Sequence, residues 1–88
     1  MMADEGALRP ITPERMAREL IEISSQRRNG EIDAATYDQI FARMIGELRD
    51  RRIDGSRADI MATLNGLVTE GKITAGEFDR VVKQLGLT

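Results

Sequence analysis

The chain has 88 residues, a formal net charge of −2 and neither cysteine nor histidine. Hydrophobic residues make up 41% of it and charged residues 32%, which is typical of a globular domain rather than a disordered chain. Without cysteine there are no disulfides and no thiolate chemistry, and without histidine the usual zinc ligand and the commonest general base are missing. We therefore expect no enzyme activity, no cofactor and no metal.

The amino-terminal residues do not resemble a targeting signal. Residues 1–7 are acidic and lack the basic and then apolar pattern of a signal peptide. No apolar run approaches the roughly 18 residues of a membrane span. We expect a cytoplasmic protein that does not bind membranes, with residues 1–10 as a flexible tail and residues 11–88 as a single domain.

An isoleucine followed by threonine or aspartate recurs at spacings of 20 or 21 residues, at Ile11-Thr12, Ile32-Asp33, Ile53-Asp54 and Ile73-Thr74. Threonine and aspartate are good N-caps, and an apolar residue before the cap packs against the first helical turn. Each step therefore predicts the start of a helix. In the third unit Gly55 weakens the first turn, so that helix can instead begin at Ser56, with Asp59 closing a capping box.

Between these starts the apolar residues follow helical spacing, most regularly in the second helix, which carries Tyr37, Ile40, Phe41, Met44, Ile45 and Leu48. Gly30, Gly71 and Gly86 supply helix ends, because glycine tolerates the left-handed conformation there. The sequence predicts an all-α fold of four short helices, arranged as two helix–loop–helix units over about 12–50 and 54–86. The link Arg49–Arg52 has no glycine and can stay partly helical.

The run from Glu70 to Phe78 resembles the second half of an EF-hand loop and its exiting helix, with Gly71 at the sharp turn and Glu77 at the last ligand position. The resemblance implies an EF-hand-like pair in which Ile32 and Ile73 lie side by side in a short backbone pairing. The ligand positions depart from the calcium pattern and hold Ser25, Arg27, Asn29 and Thr36 in the first unit and Gly66, Val68 and Glu70 in the second. The implied form is therefore free of calcium.

The same run is also similar to the short C-terminal domain (SHOCT) family, a two-helix module often attached to bacterial proteins. That resemblance implies a role in interactions. A third interpretation needs no kinship, because a glycine C-cap, a threonine N-cap and a capping box account for the same residues.

Arginines are the candidate contact residues: Arg27, Arg28, Arg49, Arg51, Arg52 and Arg57. The first hypothesis is a non-enzymatic protein–protein interaction module, a small regulator, inhibitor or assembly subunit that acts through a helical face. Its partner would be another protein or a second copy, since the wide apolar face of the second helix suits a homodimer. The alternative is a nucleic-acid-associated regulator that uses the arginine-rich stretch Arg49–Arg57.

Overall fold

A computed structural model describes residues 9–87, and these form four α-helices: α1 Pro13–Arg28, α2 Ala34–Arg51, α3 Arg57–Thr69 and α4 Ala75–Gln84. The prediction of an all-α fold with four short helices is confirmed, and residues 9–87 contain no strand longer than an isolated bridge. Residues 1–8 of the predicted tail lie outside the described residues, as does the last residue of the predicted domain. Within the described range, no helix is both long enough and apolar enough to cross a membrane.

Each helix begins at a capping side chain, whose oxygen accepts a hydrogen bond of 2.8 to 3.1 Å from the backbone amide three residues later. The N-caps are Thr12, Asp33, Ser56 and Thr74. Thr12, Asp33 and Thr74 are the predicted caps, and Ser56 is the alternative start given for the third unit. A start of α3 at Asp54 is wrong: the helix begins after Ser56, where Asp59 completes the capping box, because Gly55 has a φ of 138° that no helix accepts.

Three helices end at a glycine in the left-handed region, as predicted: Gly30, Gly71 and Gly86 have φ of 77°, 74° and 72°. The amide of the residue after each glycine donates to a carbonyl one turn back, for example Glu31 to Gln26 over 2.9 Å. Helix α2 differs, since it continues through Arg51, and the prediction that the link stays partly helical is confirmed.

A short parallel backbone pairing fixes the two units against each other. The amide of Ile11 donates to the Arg52 carbonyl and the amide of Asp54 donates to the Ile11 carbonyl, both over 2.8 Å, so that Ile11 and Ile53 form an isolated bridge. Because these segments run directly into α1 and α3, the two helices start side by side and run in the same direction. We call this side of the molecule the bridge end.

The opposite side, where the α1–α2 loop and the α3–α4 loop lie, is the loop end. There the guanidinium of Arg28 donates to the carbonyls of Gly71 and Lys72 over 3.1 and 3.2 Å. Helix α2 packs on α1 and α4 packs on α3. The molecule is therefore a parallel α1–α3 pair, with one returning helix on each partner.

The backbone pairing implied by the EF-hand resemblance does not occur within residues 9–87. Ile32 and Ile73 share no backbone hydrogen bond, and the bridge joins Ile11 to Ile53 instead. Gly66 and Val68, at the places of the first ligands in the second loop, belong to α3. A helical backbone at these positions cannot wrap around an ion as a calcium loop does.

The core draws on all four helices, on Ile11 of the bridge and on Ile73 of the second loop, and Ile53 packs half-buried against it. Its buried apolar residues include Ile11, Met16, Leu20, Phe41, Leu48, Leu64, Ile73, Val81 and Val82. The wide apolar face of α2 is mostly covered within the chain, with only Tyr37 and Ile40 left half-buried. The homodimer suggested by that face stays a prediction, and the apolar area available to it on α2 is small.

Candidate functional site

The six candidate arginines do not form one patch. Arg27 and Arg28 close α1 at the loop end, whereas Arg49, Arg51, Arg52 and Arg57 lie at the bridge end, where α1 and α3 begin. A helix of 16 residues is about 24 Å long, so the two groups are separated by roughly that distance. A small-molecule ligand cannot contact both groups of arginines.

Two of these arginines are engaged in holding the fold. Arg28 donates to the carbonyls of Gly71 and Lys72 and so ties α1 to the second loop. At the bridge end, Arg51 donates from Nε to the Arg9 carbonyl over 2.9 Å and from Nη1 to the Glu47 carboxylate over 3.0 Å. Each uses two of its five N–H donors to join separate parts of the chain or to pair with a carboxylate, so we assign both arginines a structural role.

Arg49 and Arg52 stand instead at the edge of an open cleft of about 320 Å³ at the bridge end, which we call the end cleft. It is lined by Leu48, Arg49, Arg52, Ile53, Ile60, Leu85 and Leu87. Leu48 and Ile60 are buried and form its floor, the other three aliphatic side chains are half-buried, and both arginines are exposed. The cleft thus combines an aliphatic surface with two cations.

The two cations of the end cleft have no counter-ion in the described part of the chain. Neither Arg49 nor Arg52 takes part in an ion pair there, and the acids next to them in sequence, Asp50 and Asp54, form none either. By contrast, Arg51 is paired with Glu47. The guanidinium groups at the cleft are therefore available to an anionic ligand.

Arg52 also has an unusual backbone. Its φ of 67° and ψ of 158° place it in a region that is essentially reserved for glycine, and it is the one non-glycine residue of residues 9–87 with a positive φ. Its amide donates to the Leu48 carbonyl over 2.9 Å and its carbonyl accepts the Ile11 amide. These two hydrogen bonds hold the residue at the edge of the cleft. Its backbone conformation costs about 1–3 kcal/mol relative to an unstrained one.

A second feature is the Glu77 cluster, formed by Glu77, Ser24, Tyr37 and the Thr74 amide. Oε1 of Glu77 accepts hydrogen bonds from the Ser24 hydroxyl and the Thr74 amide, each over 2.8 Å, and Oε2 accepts one from the Tyr37 hydroxyl over 2.7 Å. The side chain is only 9% exposed. One buried carboxylate therefore links α1, α2 and α4.

The environment of this cluster suits a structural link better than acid–base chemistry. Burial first, and then the hydrogen bond to Glu77, raises the pKa of the Tyr37 hydroxyl above its ordinary value of 10.0. Ser24 is buried as well, so the carboxylate is closed to solvent on the side of α1. Beside the cluster, Arg80 lies 4.3 Å from the centre of the Phe41 ring and pairs with Asp38 over 3.1 Å.

Another cleft, of about 260 Å³, lies between α1 and α2 and is lined by Glu19, Glu22, Ile23, Gln26, Ile40 and Met44. One of its two carboxylates is already neutralised, because Glu19 accepts a hydrogen bond of 2.9 Å from Arg15. For a metal, no group of three or more carboxylates within residues 9–87 is close enough to hold an ion. The end cleft is therefore the most distinctive surface.

Comparison with known proteins adds no relative: no protein-family model, curated protein or solved structure matches the chain.

The sequence predicts Arg49 and Arg52 as contact residues, but it does not reveal the contribution of Leu87 or the strained backbone of Arg52. It also identified Glu77 only as a capping-box residue and missed its bonds to Ser24 and Tyr37. The hydroxyls of Ser24 and Tyr37, each on an apolar helix face, were the available signal.

The Glu77 cluster predicts a stability loss and a changed pH dependence for Tyr37→Phe. Removing the hydroxyl deprives a buried carboxylate of a donor, so the free energy of unfolding should fall by about 1–2 kcal/mol near neutral pH. In the wild type, the raised pKa of Tyr37 means that the unfolded chain loses its phenolic proton first, so stability should fall as pH rises above 10. Tyr37→Phe should lack this alkaline fall.

Urea denaturation at about pH 8 and about pH 11 measures both effects. Ser24→Ala is the matched control, because it also removes one donor to Glu77 but retains the tyrosine. It should be destabilised near neutral pH and still show the alkaline fall. An alkaline fall of equal size in Tyr37→Phe would contradict the assignment.

The strain at Arg52 predicts that Arg52→Gly stabilises the protein. Glycine adopts a positive φ without steric cost, so the relief of strain should exceed its greater chain entropy and raise the free energy of unfolding by about 1 kcal/mol. Arg49→Gly, three residues earlier inside α2, should lower it by about 1 kcal/mol. Urea denaturation at neutral pH compares the two variants, and a destabilised Arg52→Gly would show that the backbone is not strained.

Proposed function

We propose that the protein is a non-enzymatic protein–protein interaction module, and that the end cleft is its docking surface. This proposal rests on the composition of the cleft, which combines three half-buried aliphatic side chains, Ile53, Leu85 and Leu87, with two exposed arginines. Neither arginine has a counter-ion in residues 9–87. Interfaces are enriched in arginine, and their fully buried centre is more apolar than their rim. A partner would cover the aliphatic surface and supply the missing negative charge.

The rest of the molecule supports a rigid docking scaffold. The bridge between Ile11 and Ile53 fixes one wall of the end cleft, and the core beneath it includes Leu48 and Ile60. A preorganised surface loses little conformational entropy when it binds, which favours affinity. The Glu77 cluster contributes at a distance by holding α4, whose C-terminal continuation carries Leu85 and Leu87.

Site-specific photo-crosslinking in cells of the native host tests this function. A benzoyl-phenylalanine at position 87, in the end cleft, should give a covalent adduct with one protein. The matched control at Gln39, an exposed residue of α2 that lines neither cleft, should not give that adduct. The identified protein, once purified, should bind the wild-type chain directly. No adduct from position 87, or the same adduct in equal yield from both positions, would reject the proposal.

A mobility-shift experiment on duplex DNA tests the nucleic-acid alternative. On our proposal, duplex DNA should show no mobility shift even at about 50 mM salt, where phosphate contacts are strongest, because Asp50, Asp54 and Asp59 are interleaved with the arginines of the Arg49–Arg57 stretch and the net charge is −2. A shift that disappears at higher salt and in Arg49→Glu/Arg52→Glu would support the alternative. The duplex should be tested alongside a basic DNA-binding control to establish sensitivity.

A further inference from the structure

We propose that the end cleft recognises acidic peptide segments, in which an aliphatic side chain enters the cleft and neighbouring carboxylates pair with Arg49 and Arg52. This inference rests on the proposed function and specifies its ligand. It is drawn from three properties of the cleft: the chemistry of its lining, its size and the lack of an ion pair at its two arginines within residues 9–87.

The lining of the cleft favours aliphatic side chains over the nucleobases of a nucleic acid. All five apolar residues of the cleft are leucine or isoleucine, and no aromatic ring is among them: Leu48, Ile53, Ile60, Leu85 and Leu87. Single-stranded nucleic acids are held largely by stacking of bases on aromatic side chains, which this surface does not offer. A leucine, isoleucine or valine side chain of a peptide would bury its apolar area against the same surface.

The size of the cleft favours a side chain with its flanking residues over a larger object. A volume of about 320 Å³ lies at the lower limit for small-ligand sites, and the cleft is open rather than enclosed. An enclosed pocket would be needed to bury most of a long acyl chain. An open cleft leaves room for the peptide backbone to continue on either side of the inserted side chain.

The charge at the edge specifies the neighbouring residues. Arg49 and Arg52 both line the cleft, both are exposed, and neither has an ion pair within residues 9–87. A guanidinium presents a planar fork of donors that matches a carboxylate in a bidentate manner. The strained backbone of Arg52, anchored by the Ile11 amide, keeps the second guanidinium at the cleft rather than in the direction of a continuing helix.

Selection from a displayed library of random-sequence peptides against the intact chain tests this inference. Peptides recovered on the wild type should be enriched in aspartate or glutamate beside leucine, isoleucine or valine. Synthetic copies should shift the amide resonances of Ile53, Leu85 and Leu87. Their affinity should fall about tenfold or more in Arg49→Glu/Arg52→Glu, and severalfold when salt is raised from about 50 mM to about 500 mM.

Arg18→Glu/Arg43→Glu is the matched control. It makes the same change in net charge at two exposed arginines that line neither cleft and have no ion pair in the described chain, so it should bind the selected peptides as the wild type does. Arg49→Gln/Arg52→Gln should weaken binding less than the charge reversal. Circular dichroism establishes that each variant is folded, and a variant that does not fold is replaced by the corresponding single substitution.

Several results would overturn the inference. These are a selection that yields no cleft-directed peptide, selected peptides that are basic or aromatic, and selected peptides that bind the charge-reversed variant equally well. Saturable binding of decanoate or of a single-stranded oligonucleotide at the cleft, with displacement of the peptides, would assign the site to another ligand. The affinity of a protein crosslinked at position 87 would remain unchanged in Arg49→Glu/Arg52→Glu and at high salt if the ligand assignment is wrong. That result would refute the ligand assignment and leave the proposed function standing.

Discussion

The backbone pairing of Ile11 with the segment around Ile53 is the constraint on which most of this structure depends. It brings together residues more than forty positions apart and makes α1 and α3 start side by side. One of its two hydrogen bonds, donated by the Ile11 amide, holds the Arg52 carbonyl in place, and with it a backbone conformation that arginine would not adopt freely. Packing of the helices, the end of α2 and the shape of the end cleft all follow from this contact.

The opposite end of the bundle is held by polar groups instead of backbone pairing. Arg28 reaches across to the second loop, and the carboxylate of Glu77 joins Ser24 on α1 to Tyr37 on α2. A buried carboxylate is costly unless its hydrogen bonds are complete, and here three donors satisfy it. Such a group penalises alternative packings of the helices, because any shift that breaks one bond leaves a buried acceptor without its donor.

Local structure could be predicted from the sequence almost completely, and long-range structure could not. The N-caps and the glycines at Gly30, Gly71 and Gly86 act within one helical turn, so their effect can be read from neighbouring residues. The isoleucine steps occur four times, and nothing in a repeated local motif says which two of the four will pair. The EF-hand resemblance implied a pairing of Ile32 with Ile73, whereas the contact is between Ile11 and Ile53.

The same division applies to the candidate site. Arg49 and Arg52 could be selected from the sequence because they belong to a dense run of arginines, but Arg28 and Arg51 could not be set apart from them. Only their neighbours in space show that Arg28 and Arg51 bind backbone carbonyls, while Arg49 and Arg52 border an aliphatic cleft. The run of arginines in the sequence thus predicts where the positive charge lies. The tertiary structure shows which of these arginines line the cleft.

The strain at Arg52 connects the stability of the fold with the proposed binding site. A glycine at that position would satisfy the backbone at lower energy, so the fold alone gives no reason for an arginine there. Arg52 lines the same aliphatic cleft as Arg49, where an anionic ligand would make use of both guanidinium groups. Strained residues that persist in a well-packed structure are characteristic of functional sites, where the surrounding contacts offset their cost. A residue that strains the backbone, and whose charge has no ion pair within residues 9–87, is more readily explained by binding than by stability.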